Sequence, residues 1–422
     1  MDAIPLIASN GYSNQTCILL PLKPQKTEIV EQELTQIAPE TILFLKKLRA
    51  IQVIIGDEVV TNVHRVDDPR LPTTQLIAQD GKKRSYWISK TTVEVPDAVR
   101  EESRSEIYTR EIVLAFPLDK ATLPDINVYA FLPTSSGVRS GLDFLVNADF
   151  LLSANREQIH EDREWNIWLR DNISMAFWNG FTDMLDHASV RYQAYSFIPL
   201  EKKDRIPFFE SVVSDILDKL GANEIVITDQ NDRVLPSNAR FASKDLRKLL
   251  AGRVRPAQLR LTPLVADCLQ TSDFQERLRG IGVRDLSKEE IIKCLGDQEW
   301  LESKKIEWFL SLYRYLSEQK WATPDALQSL CVLPTTHGLV SRKNGSGIYL
   351  PSDVAENTQK KHSSIIKFAN ITYLDARLWK ELQKDPELLN WVVNTFNLFE
   401  STIDMICKEL AIHAAYSGET VQ

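Results

Sequence analysis

The stretch from Gly141 to Trp168 constrains this chain more than any other. Phe144, Val146 and Ala148 alternate with Leu145, Asn147 and Asp149. A period of two predicts a strand over Phe144–Leu151. Ser153-Ala-Asn155 then makes a turn that presents Arg156. A helix follows, with Asp162 as the expected N-cap and Glu164 in its first turn. Trp165, Trp168, Leu169, Ile173, Phe177, Phe181 and Leu185 recur at spacings of three and four, so one helical face is buried and both tryptophans belong to the core. A strand running straight into a long amphipathic helix needs a sheet with that helix laid on it.

The residues upstream supply the sheet. Strands are predicted at Ala50–Ile55, Gln75–Gln79, Ser85–Val93, Glu111–Pro117 and Asn127–Leu132, with turn signals at Asp80-Gly81, Pro96-Asp97 and Leu123-Pro-Asp125. Before them, Gln15–Lys23 reads as a strand and Thr27–Leu34 and Thr41–Arg49 as helices. The fold class is therefore α+β, an antiparallel or mixed sheet with packed helices. A mainly helical region with small β-hairpins follows it. In that region Glu224–Ser237 reads as strand, turn and strand, and Cys331–Val340 with Gly347–Ser352 does the same. Leu235-Pro-Ser237 recurs as Leu350-Pro-Ser352. At the same offset Ile281, Val283 and Ser287 map to Phe396, Leu398 and Thr402. This predicts an internal repeat. Trp300–Leu316 reads as one long amphipathic helix. The expected division is 1–50, 51–200, 201–310 and 311–422, the last two being the repeats.

The 422 residues carry a net charge of −8, which argues against attraction to nucleic acid or acidic membranes. The basic runs Lys82–Arg84 and Lys360-Lys361 read as solvated loops. Five cysteines, Cys17, Cys268, Cys294, Cys331 and Cys407, form no CxxC pair and sit among apolar neighbours. They read as buried thiols in a reducing compartment. With no basic, apolar leader and no run of ~20 apolar residues, the expected location is cytoplasmic or nuclear. Among catalytic signatures, a P-loop, a nucleophile elbow, HExxH and an EF-hand loop are all absent, and the six histidines are scattered. No metal site is expected. Taken alone, Arg156 would pair with Glu157, Asp149 or Asp162 and fix its turn.

Phe131-Leu-Pro-Thr134, Gly141-Leu142, Asn147-Ala-Asp-Phe-Leu-Leu-Ser153, Asn155-Arg-Glu157 and Trp165-Asn-x-Trp168 occur in that order. Together they resemble the sacsin and NO VEIN family, in which such a block lies just after an ATPase domain of the GHKL type. The resemblance implies that residues 1–50 are a remnant of that ATPase, its last strand and exit helices, and that residues 51–200 are similar to a heat-shock chaperone middle domain. The magnesium-binding Asn helix and the Asp-x-Gly-x-Gly loop of such ATPases are not found here. ATP and magnesium are thus implied only for a missing domain, with no cofactor and no enzymatic activity expected of this chain. Ala154-Asn-Arg-Glu157 resembles the chaperone loop whose Arg senses the γ-phosphate. That makes Arg156 the candidate phosphate-sensing residue of an intact protein, as a planar guanidinium can bind two phosphate oxygens. His160 stands where the chaperone has Gln, a departure from the pattern. The implied function is a non-catalytic interaction or scaffold module that couples an ATPase to protein partners or clients. The alternative is an ATPase component that supplies Arg156 to a nucleotide site on another chain or domain.

Overall fold

Alternation within Lys83–Glu94 decides how the larger β-sheet is covered. A computed structural model describes residues 21–35, 37–100, 104–119, 126–251, 263–342, 347–351 and 372–400, with Lys408 and Ala411. The predicted strand Gln15–Lys23 falls mostly outside these residues, as do Cys17, Lys360-Lys361, Thr402 and Cys407. Two compact units are present. The first takes Met1–Ile225 and Cys268–Gly282, and the second takes Val226–Asp267 and Val283–Gln422.

The first unit is built on β1 (Ala50–Ile55), β2 (Glu58–Asp67), β3 (Thr73–Ala78), β4 (Lys83–Glu94), β5 (Thr109–Pro117), β6 (Val128–Ala130), β7 (Leu132–Pro133) and β8 (Leu145–Asn147). They form one mixed sheet in the order β1-β2-β3-β4-β5-β8-β6-β7. β1 to β5 form an antiparallel meander, and β8 pairs antiparallel with β5 and parallel with β6. The chain is therefore α+β, as the sequence predicts. β2 has no counterpart among the predicted strands. Its signal is Gly56-Asp57, a two-residue turn with φ +60° at Gly56, the place where a type II′ hairpin needs glycine. β8 is shorter than predicted. Phe144 to Ala148 are all buried, so the apparent period of two is not a buried face alternating with an exposed one.

Side chains alternate across a strand. On β4, Trp87, Ser89, Thr91 and Val93 are all buried, under the helix Ile173–Asp186. A Cβ on Gly180 of that helix would meet Ser89 and Phe116 at 2.8 Å, and Asn179 donates to the Thr91 hydroxyl at 3.2 Å. The other face carries Tyr86, Ile88, Lys90 and Thr92. Here Tyr86 and Ile88 are buried while Lys90 and Thr92 are exposed. The short helix Thr41–Phe44 covers the buried half, with Ile42, Leu43 and Phe44 packed on Val63, Ile88, Val113 and Tyr129.

That helix was predicted to run to Arg49, and it stops at Phe44. The Arg65 guanidinium on β2 donates to the carbonyls of Ile42 and Leu43 at 3.1 and 2.7 Å. It satisfies groups that a further helical turn would have bonded. The Trp-rich helix also departs from expectation. It is two helices, Glu164–Asp171 and Ile173–Asp186, and the first is capped by Arg163 without a side-chain bond, not by Asp162. Trp165 is fully buried, but Trp168 is only half-buried, which corrects its assignment to the core. The segment Cys268–Gly282 is held in the first unit by Arg277, which is buried and donates to Ile198 O at 2.6 Å and to Asp143 at 2.9 Å.

Among its described residues the second unit holds nine very short strands around helices. β9 (Val226–Ile227) and β10 (Arg233–Val234) form a hairpin, and β11 (Arg240–Phe241) pairs in parallel with β12 (Arg284–Asp285). β13 (Leu333–Thr335) and β14 (Gly338–Val340) form a second hairpin around the turn residue His337. β15 (Ile348–Leu350) lies parallel to both β16 (Thr372–Tyr373) and β17 (Phe399–Glu400). The two clusters share a hydrogen-bond pattern. Ala266 N–H donates to Ile227 O and Asp229 N–H to Leu264 O; Asp375 N–H donates to Pro334 O and Thr336 N–H to Tyr373 O. Val265 bonds back to Arg240 as Leu374 does to Tyr349. The end of each cluster keeps the predicted offset. Arg284-Asp285 and Phe399-Glu400 are the parallel partners, and Gly282 and Asn397 just before them both have positive φ. The Leu-Pro-Ser match does not hold in space. Leu235 lies before β11, whereas Leu350 lies within β15, the equivalent strand.

Helices Lys244–Leu250, Ile306–Ser317, Ala376–Leu382 and Pro386–Phe396 enclose this unit's core of Leu249, Phe309, Tyr313, Leu378 and Phe396. Ser287 caps Lys288–Leu295 in a capping box with Glu290. The predicted helix Trp300–Leu316 is broken into Gln298–Glu302 and Ile306–Ser317. Cys294 is buried and Cys331 half-buried, but Cys268 is exposed, contrary to expectation. Among the described residues no helix is long and apolar enough to cross a membrane.

Candidate functional site

The uncovered half of the sheet face in the first unit forms a cleft of about 520 Å³. Its floor is polar where the strands run out from under the Thr41–Phe44 helix: Lys90 and Thr92 from β4, Glu111 from β5, and Asn147 from β8. Its walls are Leu43 to Lys46, Arg49, Arg65, Arg110 and Phe131.

Phe131 is the unusual residue. It sits between β6 and β7 with φ +65°, a left-handed conformation that costs a bulky L-residue about 1–2 kcal/mol, and the residue is 43% exposed. Four side-chain hydrogen bonds hold this turn. Asn147 Oδ1 accepts the Phe131 N–H at 2.8 Å. Arg156 Nη2 donates to the carbonyls on either side, Ala130 at 2.9 Å and Leu132 at 3.0 Å. Arg156 Nε reaches Pro133 O at 3.4 Å. A strained backbone persists only where its surroundings over-determine it, and Asn147 with Arg156 do so here.

Arg156 does occupy the turn between strand and helix, itself at φ +61°, and it is half-buried. It pairs with none of the carboxylates expected of it. Glu157 accepts from Asn155 at 2.6 Å, and Asp149 accepts from Arg110 at 2.8 Å with Arg104 at 3.6 Å. His160 is exposed, and its hydrogen bonds run through its main chain, to Leu151 O at 3.1 Å and from Asn166 at 2.8 Å.

The remaining motif residues are used in the same way. Asn166 bonds both main-chain groups of Leu151 at 2.8 Å. Trp165 Nε1 donates to Asp149 O at 2.8 Å, and the guanidinium groups of Arg104 and Arg110 lie 5.0 and 5.7 Å from its ring centre. The short motifs at Phe131, Asn147, Asn155 and Trp165 thus converge on two loops, and their polar atoms tie down main chain.

The electrostatics of the cleft follow from its pairing. Asp67 is drawn into it by Arg65 at 2.8 Å and Arg49 at 3.7 Å. Burial pushes the Asp67 carboxyl up, but hydrogen bonds from Arg65 and Thr74 outweigh this and hold it below the usual carboxylate range. Arg84, expected in a solvated loop, donates to Glu40, which is buried and also accepts from Tyr86 at 2.9 Å. Burial, reinforced by the Glu40 carboxylate, pushes the Tyr86 and Tyr129 phenols well up. Lys46 and Lys90 are exposed and take part in no ion pair among the described residues. Sequence reasoning missed both. The available signal was the switch on β4 from Tyr86 and Ile88 to Lys90 and Thr92 at unchanged period. A larger, more open concavity of about 870 Å³ lies near Glu201–Arg205 and Gly221, and acids outnumber bases in its lining by four to two. Among the described residues no group of three or more His, Cys, Asp or Glu could hold a metal ion.

No family model matches the chain, and no solved structure matches it. Among curated proteins it is similar to Protein NO VEIN of Arabidopsis thaliana, with 23% identity over 335 residues. The match covers 70% of this chain and 11% of that protein. The chain therefore spans about a ninth of the length of the relative it matches. At this identity the comparison supports a distant NO VEIN-like relationship.

Proposed function

We propose that this chain is a non-catalytic interaction module of a NO VEIN-like protein, binding protein partners through the first unit and using the second as a repetitive scaffold. The use of Arg156 carries this reading. Its Nε and Nη2 are engaged by three carbonyls of its own unit, where they shape the Phe131 turn beside a cleft. An arginine that completes a nucleotide site in another domain would present its fork to the phosphate, whereas three of the five N–H donors of Arg156 already serve its own unit, each bond to a charged donor being worth ~1.5–3 kcal/mol. The ATPase-component reading is therefore not favoured. The likeness between the two β-clusters of the second unit supports a duplicated element, which suits scaffolding more than small-molecule chemistry. The parallel with a GHKL ATPase, a chaperone middle domain and sacsin belongs to this proposal, as does a cytoplasmic or nuclear location.

Calorimetry with ATP and magnesium, together with a phosphate-release assay, tests it. The expected outcome is no binding and no turnover by the chain. A micromolar dissociation constant, or turnover abolished by Arg156→Ala, would replace this reading with the ATPase component.

A further inference from the structure

We infer that the cleft on the first unit is a docking site for an acidic peptide segment of a partner protein, one that carries an aromatic or other large apolar side chain. The inference rests on the interaction-module reading and names the chemistry of what the module binds.

Three observations converge. The first is coverage. One face of β4 is buried from Trp87 to Val93, while the other is covered at Tyr86 and Ile88 and open at Lys90 and Thr92. The second is charge. Lys46, Arg49, Arg65, Lys90, Arg104 and Arg110 gather at or beside the cleft against Asp67, Glu111 and Asp149. Asp67 and Asp149 are each already held by two arginines, and Lys46 and Lys90 have no ion-pair partner among the described residues. The local excess of positive charge stands out in a chain of net charge −8. Such a cleft steers and selects an anionic partner. The third is the apolar part of the wall. Leu43, Phe44, Leu45 and Val113 line it, and the exposed Phe131 ring stands at it on a backbone locked by Asn147 and Arg156. A rigid aromatic gives contact area at low entropic cost.

The mixture selects a peptide over a small phosphate ligand. Phosphate is best held by a free guanidinium fork. Arg65 is engaged by Asp67 and by the Ile42 and Leu43 carbonyls, the Nε of Arg110 by Asp149, and Arg49 lies 3.7 Å from Asp67. The lining cations with no ion-pair partner among the described residues are two ammonium groups, Lys46 and Lys90, beside a partly apolar wall, a match for separated carboxylates with an apolar side chain between them.

A random peptide library displayed on phage and panned on the whole chain tests this, with the Lys46→Glu/Lys90→Glu double variant as counter-target. Both lysines are exposed, and circular dichroism with a thermal melt checks that the variant is folded. Wild type should enrich peptides that combine several acids with an aromatic. Synthetic copies should bind in fluorescence anisotropy, weaken by at least ~10-fold in the double variant and weaken as salt screens the charges. Phe131→Ala should weaken binding without altering its salt dependence. No enrichment, enrichment of peptides lacking net negative charge, or equal affinity for the double variant would overturn the inference. Inorganic pyrophosphate binding more tightly than any peptide, and lost in the double variant, would overturn it in favour of a small phosphate ligand. Failure here leaves the absence of ATP turnover untouched, whereas ATP turnover would sink the module reading whatever the peptides do.

Discussion

The two units solve the same problem, fixing strand register, by opposite means. In the first, β4 and β5 pair along nearly their whole length, from Tyr86 opposite Pro117 to Glu94 opposite Thr109. A one-residue slip would turn every side chain to the wrong face, so the core itself holds the register. In the second unit most strands have two or three residues, too few for a buried face to specify anything. There, register is set at single points: side-chain caps, left-handed residues and tyrosine hydroxyls. Tyr313, for one, donates to Val332 O at 2.7 Å just before β13. The lesson is that long ladders spread their specification over a face, whereas short strands concentrate it in a few hydrogen bonds.

If this contrast is right, the largest loss comes from the first unit's core. Trp165→Ala, removing a fully buried indole, should cost ~3–5 kcal/mol in denaturant unfolding. Trp168→Ala should cost about 1–2 kcal/mol, in the middle range for point substitutions, because Trp168 is half-buried. Equal losses would show that the two indoles share one core after all.

Next in size is Arg156→Ala. Loss of its bonds to the Ala130 and Leu132 carbonyls should cost at least about 1.5–3 kcal/mol, the worth of one such bond. Hydrogen exchange should rise first at Phe131. A cost below about 0.5 kcal/mol, the level of an ordinary surface substitution, would mean that Arg156 does not hold the Phe131 turn.

A smaller effect probes the short strands. Gly282→Ala places a side chain at φ +107° and should cost about 1–2 kcal/mol. Asn397→Gly, at the matching left-handed position, should cost nothing or stabilise slightly. If Asn397→Gly destabilises as much as Gly282→Ala, the two positions are not equivalent and the shared pattern of the β-clusters is superficial.

The smallest effect is a pH dependence. Burial raises the phenol pKa of Tyr313 in the second unit, and burial with Glu40 raises those of Tyr86 and Tyr129 in the first. Each folded pKa lies above the unfolded value of about 10. Their contribution is therefore complete below about pH 10 and is lost as pH rises beyond it. Tyr313→Phe removes one hydrogen bond, about 1 kcal/mol at neutral pH, and should flatten the alkaline fall in stability. An unchanged alkaline limb would mean that Tyr313 ionises as readily folded as unfolded.

Much of this was legible in the sequence, and its gaps have local causes. β1 falls at the predicted Ala50–Ile55, and β4 and β5 fall within two residues of expectation, because period and turn residues act over short distances. The α+β class followed from them. β2 was overlooked although Gly56-Asp57 announces its hairpin. The helix at Thr41 was read too long because its end is decided by Arg65, which comes from another strand. In the candidate site the sequence points to Arg156 but not to its partners. Carboxylates near in sequence were expected, and carbonyls of the β6–β7 turn were found.

By itself the sequence determined where the chain can be strand or helix, which residues are apolar enough to be buried, and the distant likeness to NO VEIN. These properties are written in neighbours a few residues apart. Only the tertiary structure decided that Asn147 and Arg156 meet around Phe131, that Lys46 and Lys90 flank one cleft, and that Cys268–Gly282 belongs with the first unit while the residues on either side of it belong to the second. Each of these joins residues distant in the chain. They depend on which face of the sheet a helix covers and where that helix stops, and no local pattern encodes either.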